Sequence, residues 1–269
     1  EMARIFTHIF GELYFSGHEG ASTHIVDTGD GLLLFDSGYP SDVPDLLRDM
    51  TENGLYAVNI RWIFHTHGHI DHMGGTSELV SLTGAKTYIG APDADAAKGR
   101  LPLSYAEELG MRYEKTFEPD FLINDGDRFR FGNITVSCVA TPGHTAGAMS
   151  YFFDVRNPDS GLVCRAGLHG GMGTNSVERW YLEKHHLPFT LRDDFRASME
   201  RLGKEKVDIF LGNHMAHNQT AEKAEKVKSG DRNAFVVRNE WKDFCAYSIR
   251  YLDEMLAREA SEKNNTTIQ

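Results

Sequence analysis

The sequence predicts an α/β (α+β) protein: two β-sheets stacked as one sandwich, with helices on the outside. Two observations lead there. Short strand-like runs recur in two groups along the 269 residues, each followed by segments of helical spacing. No Pro-, Gly- or Ser-rich linker separates the groups, so 1–269 reads as one domain rather than two separable ones.

The first group opens with runs at 12–16, 22–27 and 31–36, divided by turn signals such as Gly29-Asp30-Gly31. Residues 42–53 carry helical spacing at Val43, Leu46, Leu47 and Met50, and 59–64 is a buried strand. A helix over 76–83 and a strand over 86–89 follow. The segment 92–124 is polar and helix-prone, an excursion over the core that walls the site. The second group comprises runs at 129–131, 134–140, 149–154 and 162–164. A second excursion, 170–188, is rich in Gly, Trp, Tyr and His. A helix at 193–202, a strand at 207–211 and a helix at 239–258 complete the order, with a frayed tail at 262–269. On the last helix Trp241, Phe244, Ile249, Leu252, Met255 and Leu256 form one apolar stripe, which reads as core.

The chain is 41% hydrophobic, and none of its apolar runs approaches the ~20 residues of a membrane span. A net charge of −11 repels phosphate backbones and anionic lipid, which disfavours nucleic-acid and membrane partners. A small anionic substrate stays compatible, because bound metal inverts the local field. No basic start followed by an apolar stretch marks a secretory signal, so a cytoplasmic protein is expected, of unknown oligomeric state. Cys138, Cys164 and Cys245 lie far apart without Cys-x-x-Cys spacing, which fits free thiols in a reducing compartment.

Chemistry concentrates in the run His65-Thr66-His67-Gly68-His69-Ile70-Asp71-His72-Met73-Gly74-Gly75. Four histidines and an aspartate in eight residues, directly after a buried strand, offer nitrogen and oxygen donors suited to zinc and other borderline divalent ions. His67 and His69, two apart on extended chain, point the same way. Asp71 and His72 lie on the bend beyond and face a second position, so one loop can feed two metals. His65 is expected to pack or to support the ligands. Asp36 is expected to cap its turn or support the ligands rather than bind metal.

The arrangement His67-x-His69-x-Asp71-His72 followed by Gly74-Gly75 resembles the signature of the metallo-β-lactamase superfamily, which includes glyoxalase II and lactonases. Leu33-Leu34-Phe35-Asp36-Ser37-Gly38, Thr141-Pro142-Gly143-His144 and Leu211-Gly212-Asn213-His214 are similar to further landmarks of that family, in order. The resemblance covers about residues 12–220 and implies a four-layer αββα sandwich with the site at one edge between the sheets. It implies one metal on His67, His69 and His144 and a second on Asp71, His72 and His214, most simply both zinc, with iron or manganese as alternatives. One position departs. Many members carry a bridging aspartate after the strand here ending Leu162–Cys164, where this chain reads Arg165-Ala166-Gly167-Leu168-His169. His169 is therefore a candidate metal or substrate contact.

The expected activity is that of a binuclear metal-dependent hydrolase. A metal-bound hydroxide would attack a small-molecule carbonyl substrate (lactone, thioester, ester or lactam), with Asp71 orienting the nucleophile and passing a proton. No Gly-x-Ser-x-Gly elbow supports a serine nucleophile. Tyr105, Met111, Tyr113, Trp180, Tyr181, His185 and His186 are offered as pocket walls by the two excursions. The alternatives are a non-catalytic binding member of the fold and an iron-dependent redox member.

Overall fold

A computed structural model describes residues 4–266 of the chain. Its first sheet runs β1 (Ile5–Phe10), β2 (Leu13–His18), β3 (Ala21–Asp27), β4 (Leu32–Phe35), β5 (Ile60–Phe64), β6 (Lys86–Gly90) and β7 (Phe121–Ile123), side by side in chain order. Pairing is antiparallel from β1 to β4 and parallel from β4 to β7. The second sheet holds β8 (Arg128–Phe131), β9 (Ile134–Ala140), β10 (Met149–Arg156), β11 (Val163–Leu168) and β12 (Ile209–Leu211), in the order β12-β11-β10-β9-β8.

Alternation along the strands builds the layers. On β4, Leu33 and Phe35 enter the core between the sheets, whereas Leu32 and Leu34 face outward. On β10, Tyr151, Phe153 and Val155 enter that core from the other side, and Phe152 points away. The outward residues of the first sheet pack against α1 (Val43–Glu52), through Val43, Leu46 and Met50, and against Leu79. Those of the second sheet pack against α6 (Leu191–Leu202) and α8 (Glu240–Thr266), through Phe195, Met199, Trp241 and Phe244. Between these lie α2 (Ile70–Met73), α3 (Thr76–Thr83), α4 (Ala94–Ala97) and α5 (Arg179–Lys184), and α7 (Thr220–Lys228) precedes α8. The result is the expected αββα sandwich of two mixed sheets flanked by helices.

Several elements differ from the sequence reading. The strand Ile5–Phe10 and the three-residue edge strand Phe121–Ile123 are additions. Phe121 and Leu122 are about half exposed, so the burial pattern that normally marks a strand is missing there. Helix α7 is also an addition; Ala221 and Val227 dock it on the core, while its charged residues dilute the apolar periodicity. Helix α8 continues to Thr266, past the expected end at 258 and through most of the segment read as frayed; residues 267–269 lie outside the described part. All three cysteines are free and buried. Among the described residues no helix is long and apolar enough to cross a membrane.

Candidate metal centre

Strand β5 ends at Phe64 and delivers the histidine run to the edge of the sandwich. His69 is still extended (φ −89°, ψ 151°), and the chain then turns into α2, which carries Asp71 and His72 in its single turn. This change of backbone splits the donors into two sets. Nitrogens of His67, His69 and His144 lie within 4.8 Å of one another, as do donor atoms of His67, Asp71 and His72. His67 belongs to both.

His144 arrives on the loop between β9 and β10. Gly143 there has φ +140°, and a Cβ would come within 2.4 Å of the Phe195 backbone, so only glycine fits. His214 follows β12 and faces the same point: its Nε2 is 3.3 Å from His72 Nε2 and 3.5 Å from Asp71 Oδ2.

Hydrogen bonds around the rings fix which nitrogen faces inward. Asp36 accepts from Thr66 N–H at 2.7 Å, from Thr66 Oγ1 at 2.8 Å and from His72 Nδ1 at 2.8 Å. Thr66 Oγ1, having given its proton to Asp36, accepts from His67 Nδ1 at 3.0 Å. His144 Nδ1 donates to the Gly173 carbonyl at 2.7 Å. In His67 and His144 the outward Nδ1 carries the hydrogen, so their Nε2 lone pairs converge, while His72 turns its Nε2 to the same point, 3.1 Å from Asp71 Oδ2. His67 Nε2 and His144 Nε2 stand 3.1 Å apart, and His69 Nε2 is buried with no hydrogen-bond partner. Facing lone pairs are costly in a protein interior, and a divalent cation held between them removes that cost. The donor set fits a metal.

Electrostatics divide the centre in the same way. Burial, reinforced by neighbouring imidazoles, holds His67 and His69 well below the ordinary histidine pKa and His144 at about 4. Burial also opposes protonation of His72, but Asp71 and Asp36 outweigh it and lift its pKa to about 10. Burial works against ionising Asp71, yet His72 and His214 hold its carboxyl below the usual range.

Asp93, fully buried, straps the two ligand loops together. It accepts from Gly68 N–H at 2.8 Å, Gly147 N–H at 2.8 Å and Thr145 Oγ1 at 2.6 Å. His65 donates from Nδ1 to the Tyr88 carbonyl at 2.9 Å and bonds Thr76 Oγ1 through Nε2 at 2.7 Å, away from the centre. His169 does not line the cleft. Its ring is buried, with Nδ1 accepting from Gly171 N–H and Nε2 on His217 Nδ1, both at 3.1 Å. Its side chain is spent on those two partners, which corrects the expectation of a metal or substrate contact.

The centre opens into a cleft of ≈ 260 Å³. Of the seven residues expected on its walls, Tyr105 lines it, its ring 5.1 Å from that of His69. Met111, Tyr113, Trp180, Tyr181, His185 and His186 do not. Tyr113 bonds the Ala97 carbonyl, His185 bonds Glu108, and Tyr181 backs Tyr105 from behind. The second excursion contributes Gly171, Met172, Gly173 and Asn175 instead. Gly20, Tyr39, Leu109, Asn213 and His217 complete the lining and were missed. His217, three residues beyond His214, had only its proximity in sequence as a signal.

Residues 17–157 match the profile of the Metallo-beta-lactamase superfamily. Among curated proteins, a hydroxyacylglutathione hydrolase of Bartonella henselae is 31% identical over 131 residues, 47% of this chain and 44% of that protein. A lactamase-like protein of Emericella nidulans is 29% identical over 144 residues, 52% of this chain and 38% of its own. The chain thus spans less than half the length of these relatives. Among solved structures, a Cronobacter sakazakii metallo-beta-lactamase superposes with a TM-score of 0.83 at 25% identity, covering 94% of this chain and 98% of the other. A subclass B3 metallo-beta-lactamase of Bradyrhizobium japonicum gives a TM-score of 0.85 at 24% identity over 95% and 94% of the two chains. With the profile matching more than half of its length, and two donor sets at the sandwich edge, this chain belongs to the metallo-β-lactamase superfamily.

Proposed function

We propose that the chain is a binuclear metal-dependent hydrolase acting on a small-molecule carbonyl substrate of the lactone, thioester, ester or lactam class. One observation carries the reading: three Nδ1–H groups are donated outward so that their Nε2 atoms converge on a cleft open to a small molecule. His67, His69 and His144 would hold one ion, and Asp71, His72 and His214 the other, zinc being the simplest choice for this donor set. Such ions activate water at neutral pH and polarise a carbonyl oxygen.

The chain's own residues do the rest. Asp36 and Thr66 keep the His67 and His72 Nε2 atoms aimed inward. Asp71 is ionised and part-exposed, so it can orient a nucleophile and afterwards hand a proton to a leaving group. Tyr39 and Tyr105 wall the cleft and limit the shape of what enters.

The test is metal analysis of the purified protein, paired with a panel of a lactone, an acyl thioester, an ester and a β-lactam. Two divalent ions per chain and turnover of one class would support the reading. Absence of metal at neutral pH with excess zinc supplied, or full metal loading with no turnover of any class, would overturn it.

A further inference from the structure

The imidazoles at the cleft do not all have the same polarity. In His67 and His144 the Nδ1 gives its hydrogen outward to an acceptor, leaving Nε2 as a lone pair. His217 is wired the other way. The chain begins at a group with no choice of role: the backbone N–H of Gly171 donates to His169 Nδ1 at 3.1 Å, so that nitrogen carries no hydrogen. A neutral imidazole then has its hydrogen on Nε2, which lies 3.1 Å from His217 Nδ1. His217 Nδ1 must accept, and its own hydrogen must sit on Nε2, at the ring edge away from His169.

Burial supports this wiring, because the fully buried His169 has its pKa pushed well below the ordinary value and stays neutral. Phe244 on α8 fixes both rings, 4.5 Å from His169 and 5.5 Å from His217 between ring centroids. His217 lines the cleft, and its ring centroid is 5.2 Å from that of His214.

We propose that His169 is a positioning residue that locks His217 in the Nε2–H form, so that His217 offers the cleft a hydrogen-bond donor for a carbonyl or carboxylate oxygen of the substrate. The donor's target rests on the hydrolase reading; the tautomer does not. An Nε2 that carries hydrogen cannot also be a metal ligand, so His217 is a wall of the centre and not a seventh ligand.

The wiring is tested on metal-free protein by nitrogen-15 NMR of the histidine rings. Both His169 and His217 should show a protonated Nε2 and an unprotonated Nδ1. In His169→Phe the His217 signal should move toward the mixed tautomers of a free imidazole. A His217 carrying hydrogen on Nδ1 in the wild-type protein would overturn the proposal, whatever the protein catalyses.

The donor role is tested with the substrate that the panel identifies. His217→Ala should keep its metal content and thermal midpoint while kcat/KM falls about tenfold, the loss of one hydrogen bond to the substrate. His217→Gln, whose amide N–H reaches the position of Nε2, should recover most of the loss. Loss of metal in His217→Ala would make it a ligand and refute the assignment. Unchanged kcat/KM, or no rescue by Gln, would refute the donor role. A panel without turnover counts against the hydrolase reading and the donor's target together, and leaves the tautomer result to stand or fall on its own.

Discussion

The two halves of the centre are built by opposite means. His67, His69 and His144 are at most 8% exposed and uncharged, with His67 bonded on its outer side to a hydroxyl and His144 to a carbonyl. The second half is a chain of alternating charge, in which His72 sits between Asp36 and Asp71 while the His214 side chain is 30% exposed. The first half is thus a rigid, neutral nest of lone pairs. The second depends on carboxylates and opens to solvent, where a substrate would meet it. The same residue run produces both, because the chain changes from extended to helical between His69 and Asp71.

The comparison breaks most completely at His67, which belongs to both donor sets. His67→Ala is expected to empty the first half, loosen the second and reduce hydrolysis by about 10³-fold or more, read by metal analysis and turnover. Two ions per chain held at wild-type affinity would contradict a role for His67 in either half.

The supports should separate the halves. Asp36→Ala removes the acceptor that orients His72 directly and His67 only through Thr66, so the second ion should weaken by about 10- to 100-fold and the first by less. Asp93→Ala cuts the strap between the His67–His69 loop and the His144 loop and should do the reverse. Each should also cost on the order of 3 kcal/mol in urea unfolding, since buried donors lose a charged acceptor. Zinc titration of the two variants checks the crossing pattern; equal losses at both ions in both variants would erase the distinction.

A smaller effect should appear in the pH dependence of the metal-free protein. His144 has a folded pKa of about 4 against 6.5 for an ordinary histidine, so the unfolded chain binds more protons between those values. Its contribution is present above pH 6.5 and is lost as pH falls toward 4. His72, raised to about 10, contributes below pH 6.5 and loses that contribution as pH rises toward 10. Urea midpoints should therefore decline on both sides. His144→Asn should soften the acid limb and His72→Asn the alkaline one; identical profiles for the two variants would contradict opposite electrostatics.

How far the sequence could be read follows from the range of the interactions. The sandwich was legible because alternation on strands such as Phe35's and Phe153's is local and has period two. The His67–His72 run was legible as a two-position cluster because its donors lie within one turn of chain, and a strand end and glycine mark each distant partner. The Asp93 strap was not, since it joins positions 25 and 54 residues away. His169 looked like a ligand because it stands where the bridging aspartate is missing. Only the fold shows its ring turned onto His217. The aromatic residues of the excursions were equally ambiguous, because an aromatic that packs a lid and one that faces a cleft have the same sequence signature.

The central claim, two ions in two differently built halves, is tested most directly by anomalous diffraction at the zinc edge from metal-loaded crystals. The account predicts two peaks, one touching His67, His69 and His144 and the other touching Asp71, His72 and His214, with none on His169 or His217. A single peak, or a peak held by His169 or His217, would contradict it.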